Sequence, residues 1–287
     1  MAFGLFRVRL PDGSIRLAGG AAGDEPTHLL PADATLDAML GRDGPGLDVA
    51  ASWPPVGDVP AGSVVLAPVE SQEVWAAGVT YLRSREARVE ESLDASPYDR
   101  VYVAERPELF FKSAGWRVRG PGDEVAVRAD SEWNTPEPEL VLVLDAEMRI
   151  CGYTIGNDMS SRSIEGENPL YLPQAKVYDG ACAIGPCIVP AGQVRPPFSI
   201  TMEIVRGTDT VFKGDTGTDR MKRSFEDLAR YLGDALTFPT GAFVLTGTGL
   251  VPDALFTLHP GDVVRIHVDG IGTLENPVAA VGRFPSH

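Results

Sequence analysis

Cysteine is scarce: Cys151, Cys182 and Cys187 are the only three in 287 residues. The number is odd and no Cys-x-x-Cys occurs, so neither a disulfide framework nor a zinc knuckle is expected. Small buried thiols in a reducing cytoplasm are expected instead. Positive charge is also short. Lys and Arg total 25 against 40 Asp and Glu, a net charge of −15, which argues against nucleic acid and anionic membranes as partners. No apolar run approaches the roughly 18 residues of a membrane span. The start, MAFGLFRVRLPDG, has no charged stretch followed by a long apolar one, so no secretory signal is expected. Histidine is confined to His28, His259, His267 and His287. Serine-hydrolase elbows, His-Glu-x-x-His and phosphate-binding Gly-Lys-Ser/Thr loops are missing.

Turn formers, in contrast, are plentiful. Gly (31) and Pro (24) make up nearly a fifth of the chain and are spread through it, as turns between many short strands would be. Hydrophobic residues reach 44%, enough for a filled core. FGLFRVRL, a PDG turn and SIRLA read as a hairpin. ADATLDAML reads as a short helix, with Thr35 or Asp33 near its cap. SFEDLARYLGDAL reads as a helix capped by Ser224, with Phe225, Leu228 and Leu232 on one face. There is no regular β-α-β alternation, so a doubly wound fold is disfavoured. The expected class is mainly β with a few helices (α+β). A small N-terminal domain is expected over 1–68 and a larger domain over 69–287.

The stretch PEPELVLVLD, residues 136–145, carries the chemical signal. It reads as a strand that opens with Glu137 and Glu139, whose side chains leave the same face. Pro136 and Pro138 stiffen that entry. Three readings compete: solvated acids at a strand end, a general acid/base couple, or ligands of a hard divalent cation, Mg²⁺, Mn²⁺ or Ca²⁺. Asp158, in GNDMSSRS, stands where a later strand gives out and is a candidate third ligand. Lys176 interrupts an apolar or uncharged run, YLPQAKVYDG. It is either a snorkelling surface residue or a group that receives a carboxylate or works as a base.

PEPELVLVLD, GYTIGNDMSSRS, LPQAKVYDGACAIGP, LTGTG and VDGIGTLENPV occur in that order over residues 70–284, and together they resemble the fumarylacetoacetate hydrolase family. The resemblance implies a mixed β-sandwich roll, a homodimer or higher oligomer, and a divalent cation held by Glu137, Glu139 and Asp158. It implies that Lys176 and Thr248 bind the acid and keto oxygens of a small 2-keto acid. Hydrolases of the family carry a histidine three residues after a tyrosine, as a base for water. Here, in GVTYLRSREAR, Tyr81 is kept and Ser84 stands at the histidine position. Ser84 or Arg85 suits a substrate carboxylate better; the alternative is that Arg83, Arg85 and Arg88 form a charged helix face.

GVTYLRSRE, RPELFFKS and GENPLYLPQAKVY are closely similar to a dehydratase branch acting on 2-keto-3-deoxy-pentonates. That similarity implies Glu108 and Lys176 as the acid/base pair; an exposed Glu108 is the plain alternative. Dehydration through an enolate stabilised by Mg²⁺ needs no activated water. The alternatives are an acylpyruvate-type hydrolase or 2-oxo acid decarboxylase, with Glu86 or Glu108 as water base, and a non-catalytic 2-keto-acid binder. The segment from Glu86 to Val103 is a candidate lid.

Overall fold

The computed structural model describes residues 1–91 and 96–282. The first hairpin is β1 (Phe3–Arg9) against β2 (Ile15–Ala21), in register from Phe3↔Ala21 to Arg9↔Ile15. Its turn uses Gly13 at φ +87°, a conformation open to glycine at no steric cost. A two-residue strand, β3 (His28–Leu29), adds to β2. Helix α1 (Leu36–Leu40) is capped by Thr35, whose Oγ1 accepts the Ala38 N–H at 3.1 Å. Strand β4 (Val64–Leu66) returns to β1.

Strand β5 (Glu73–Gly78) leads out to helices α2 (Leu82–Glu91) and α3 (Ser96–Val103) and back through β6 (Glu108–Ala114). Strands β7 (Val125–Arg128) and β8 (Asn134–Thr135) precede the acidic strand β9 (Pro138–Leu144). After it come β10 (Ile150–Asp158), β11 (Ser160–Ser161), α4 (Arg162–Glu167), α5 (Leu172–Lys176) and β12 (Cys182–Pro190). The hairpin of β13 (Ser199–Arg206) and β14 (Asp209–Gly217) is followed by α6 (Phe225–Gly233). In α6, Ser224 accepts the Asp227 N–H at 3.1 Å and Phe225, Leu228 and Leu232 are buried. Strands β15 (Ala242–Leu245), β16 (Asp262–Val268) and β17 (Gly272–Val281) complete the fold.

The expected mainly-β class is observed. One ten-stranded sheet runs β3-β2-β1-β12-β10-β9-β15-β5-β6, with β4 on β1; a second runs β14-β13-β16-β17-β7. Strand β9 lies near the middle of the large sheet and is buried on both faces, which explains its unbroken apolar run. Leu140, Leu142 and Leu144 join a core with Ile200, Met202 and Ile266. Val141 and Val143 join a second core with Leu36, Met39 and Phe243. Residues 1–68 enter the large sheet at Leu5↔Ile188, between β1 and β12. We propose that they form a distinct N-terminal unit docked along that seam.

Candidate active site

The β9–β10 pairing creates the site. Opposite partners are Glu139↔Gly156 and Pro138↔Asn157, and the Asp158 N–H donates to the Glu137 carbonyl at 3.0 Å. The last residue of β10 therefore stands beside the first acid of PEPE. Glycine at 156 is needed because a Cβ there would come within 2.6 Å of Val141 and 2.9 Å of Leu245. One carboxylate oxygen each from Glu137, Glu139 and Asp158 lies within 4.8 Å of the others. All three acids are buried.

Gathering three acids away from water is costly, and neighbouring groups offset the cost. Burial pushes the Glu139 carboxyl well above the usual carboxylate range, and Asp158 and Glu137 push it further; Lys176 and the Gly247 N–H act the other way. Each acid has one oxygen held by a fixed donor. Arg162 Nη2 lies 2.9 Å from Glu137 Oε1, and Ser160 Oγ donates to the same atom at 3.0 Å. Lys112 Nζ is paired with Asp158 Oδ1. The Gly247 N–H donates to Glu139 Oε2. Lys176 Nζ reaches the opposite oxygens, Glu137 Oε2 at 3.1 Å and Asp158 Oδ2 at 3.0 Å, and donates to Ser160 Oγ at 2.6 Å. Three buried carboxylates thus face three buried cations, Lys112, Arg162 and Lys176. A set of hard carboxylate oxygens with no sulfur or imidazole fits a divalent cation of the Mg²⁺ type.

A cavity opens onto this cluster. Ser84, Glu108, Glu137, Asp158, Lys176 and Thr248 all line it. Ser84, in the first turn of α2, donates to the Tyr81 carbonyl at 2.8 Å. Thr248 Oγ1 accepts the Leu250 N–H at 3.2 Å. Glu108 folds over its cross-strand partner Gly78. The cavity holds about 10 Å³, about one water.

Two further candidates, Arg85 and Tyr81, are not among the residues that line this cavity. Arg85 donates through Nε to Asp99 Oδ1 at 2.7 Å and sits over the Tyr102 ring, joining α2 to α3. Tyr81 is buried, and its hydroxyl has no hydrogen-bond partner among the described residues. Burial, then Glu139 and Asp219, push that hydroxyl above its ordinary range. Of the candidate lid, residues 92–95, including part of DASPYD, lie outside the described residues.

Sequence reasoning missed Lys112, Arg162, Ser160 and Glu165, the last a buried acid on the same cavity. Composition held a signal for Lys112. The chain has only four lysines, Lys112, Lys176, Lys213 and Lys222, against 21 arginines, and the two buried ones meet at this site. No helix among the described residues is long and apolar enough to cross a membrane.

The family model for fumarylacetoacetate (FAA) hydrolase C-terminal matches residues 73–279. A probable 2-keto-3-deoxyxylonate dehydratase of Haloferax volcanii is 52% identical over 216 residues, 75% of this chain and 74% of that one. The 2-dehydro-3-deoxy-D-arabinonate dehydratase of Saccharolobus solfataricus is 45% identical over 217 residues, 74% of this chain and 73% of that one. A solved structure of 2-keto-3-deoxy-D-arabinonate dehydratase complexed with magnesium and 2,5-dioxopentanoate superposes with a TM-score of 0.82 at 36% identity. It covers 97% of this chain and 99% of that one.

Proposed function

The chain belongs to the fumarylacetoacetate hydrolase family, and from that premise we propose that it is a divalent-cation-dependent dehydratase of a 2-keto-3-deoxy sugar acid. The substrate class is a five-carbon acid such as 2-keto-3-deoxy-D-arabinonate, with 2,5-dioxopentanoate and water as products. The observation that carries this reading is the cavity itself. It joins two of the candidate ligands, Glu137 and Asp158, with Glu139 clustered beside them, to two candidate proton carriers, Lys176 and Glu108, with Ser84 where hydrolases of the family have a histidine.

Glu137, Glu139 and Asp158 would hold Mg²⁺, with Mn²⁺ or Ca²⁺ as substitutes. When bound, such an ion polarises the substrate's carboxylate and C2 carbonyl oxygens and makes the C3 protons more acidic. Ser84, Thr248, Tyr81 and Arg85 are the residues assigned to the substrate's oxygens, Arg85 after leaving Asp99. Glu108 takes a proton from C3, and the C4 hydroxyl leaves as water with a proton from Lys176. A proton then leaves C5 as another reaches C3, and the resulting enol takes a proton at C4 and loses its hydroxyl proton to leave the aldehyde at C5. The protein's tasks are to orient the acid, exclude bulk water and carry these protons. None of them requires an activated water, which separates this reading from acylpyruvate hydrolysis. A cytoplasmic homodimer or higher oligomer, with the three thiols unbridged, completes the proposal.

The test is a substrate panel of 2-keto-3-deoxy-pentonates of both configurations at C4, with acetylpyruvate and oxaloacetate alongside. Aldehyde from a pentonate, lost in Lys176→Met, supports the reading. Cleavage of acetylpyruvate or decarboxylation of oxaloacetate with no aldehyde overturns it.

A further inference from the structure

We propose that Lys112 is a positioning residue: its ammonium sets the metal-ligand strand and the lysine-bearing helix in place relative to one another. Along β5 and β6 the register pairs Val74 with Ser113 and Trp75 with Phe111, skipping Lys112. Lys112 is the extra residue of a β-bulge, a device that re-aims a side chain. Its side chain is fully buried (0% exposed) and its ammonium has three oxygen partners. They are Asp158 Oδ1, the Met159 carbonyl at 2.9 Å and the Lys176 carbonyl at 2.6 Å. Three N–H donors meet three acceptors, so the ammonium is satisfied.

These acceptors belong to two separate pieces of the site. Asp158 ends β10 and Met159 follows it; Lys176 ends α5. One cation holds the oxygen of Asp158 opposite the one Lys176 reaches, and also holds the backbone from which the Lys176 side chain springs. A compact ammonium can do this; a planar guanidinium fork cannot satisfy the same three directions. That explains why a chain with 21 arginines keeps lysine here, whereas Lys213 and Lys222 are exposed. The inference rests on the proposed metal-dependent site, and its readouts include one that does not require turnover.

The experiment compares wild type, Lys112→Met, Lys112→Arg and Lys213→Arg. Mn²⁺ affinity is read by electron paramagnetic resonance, and kcat and KM are read at saturating Mn²⁺. Both Lys112 variants are expected to weaken Mn²⁺ binding by at least about 10-fold, the scale of lost outer-sphere support. Both are expected to lower kcat more than they change KM, while Lys213→Arg behaves as wild type. Lys112→Arg keeps the charge, so it remains informative if Lys112→Met fails to fold. In wild type labelled with ¹⁵N-lysine, four ammonium signals are expected. The two buried ones should exchange slowly and shift on Mg²⁺ addition; the other two should not. An unshifted Lys112 signal, or Lys112→Arg with unchanged Mn²⁺ affinity and kcat, overturns the proposal. Wild type that binds Mn²⁺ but turns over none of the substrate panel overturns the dehydratase reading alone, and the Mn²⁺ comparison still decides the role of Lys112.

Discussion

Gly78→Ala tests whether the Glu108 carboxylate works where the structure puts it, without removing it. Gly78 and Glu108 face one another across β5 and β6. A Cβ at position 78 would stand 2.6 Å from Glu108 Cδ and closer still to its Oε2. Carbon–carbon contact needs about 3.5 Å, so the carboxyl group must retreat by about 1 Å. The end of a glutamate side chain can swing away, so the fold bears little cost. Alanine is also better than glycine inside a strand by roughly 0.5–1 kcal/mol. A catalytic group misplaced by about 1 Å costs on the order of 100-fold in rate, about 2.7 kcal/mol in the barrier. The assay is aldehyde formation from 2-keto-3-deoxy-D-arabinonate at saturating Mg²⁺, with thermal unfolding measured on the same sample. The expected result is an unfolding temperature close to wild type and kcat down by about two orders of magnitude. Glu108→Gln should lose at least as much. Wild-type kcat in Gly78→Ala would refute the reasoning, because the carboxylate would then be doing nothing from that position.

Gly247 has φ +91°, and a Cβ there would press on Thr80 and stand 3.0 Å from the Ala77 carbonyl. Gly247→Ala should therefore cost about 1–3 kcal/mol of stability and weaken Mn²⁺ binding, because the N–H that holds Glu139 is moved. Burial raises the Asp262 carboxyl, but the Arg206 fork at 2.7 and 2.8 Å and the His259 N–H outweigh it and leave it below its ordinary range. Its stabilisation is thus present above the unfolded value of about 3.9 and lost as pH falls through the lower folded one. Asp262→Asn should lower stability in urea by about 1–3 kcal/mol at pH 7, with the gap to wild type closing toward pH 2. Burial pushes the Cys182 and Cys187 thiols up to about 12, so neither should react quickly with a disulfide reagent at pH 8 until denaturant is added.

How much of this was legible in the sequence depends on how locally each feature is encoded. Helix α6 could be read from Ser224 and three apolar positions, because caps and faces are local. Glu137 and Glu139 could be read because a two-residue spacing puts them on one face. Asp158 could be read because its strand ends there, and the motif order tied Lys176 and Thr248 to the same place. Lys112 was not legible. Its carbonyl partners lie 47 and 64 residues away, and the bulge that aims it exists only once β5 and β6 pair. Arg162 likewise gains its meaning from Thr135 of β8 and from Glu137 just before β9, both distant in sequence from α4. Arg85 shows the opposite limit. An arginine suits a carboxylate in general, but the one Arg85 pairs with here is Asp99 of α3, a partner that only the packing of α2 against α3 reveals. The part of DASPYD in residues 92–95 lies outside the described residues.

The most direct test of the central claim is a proton NMR time course of the purified protein with 2-keto-3-deoxy-D-arabinonate and Mg²⁺, run with and without EDTA. The account predicts that the aldehyde of 2,5-dioxopentanoate, or its hydrate, grows in with Mg²⁺. It also predicts that EDTA abolishes this signal and that Glu137→Gln loses it even with Mg²⁺ present. Aldehyde formation at an undiminished rate in EDTA, or no aldehyde while acetylpyruvate is cleaved in parallel, would contradict it.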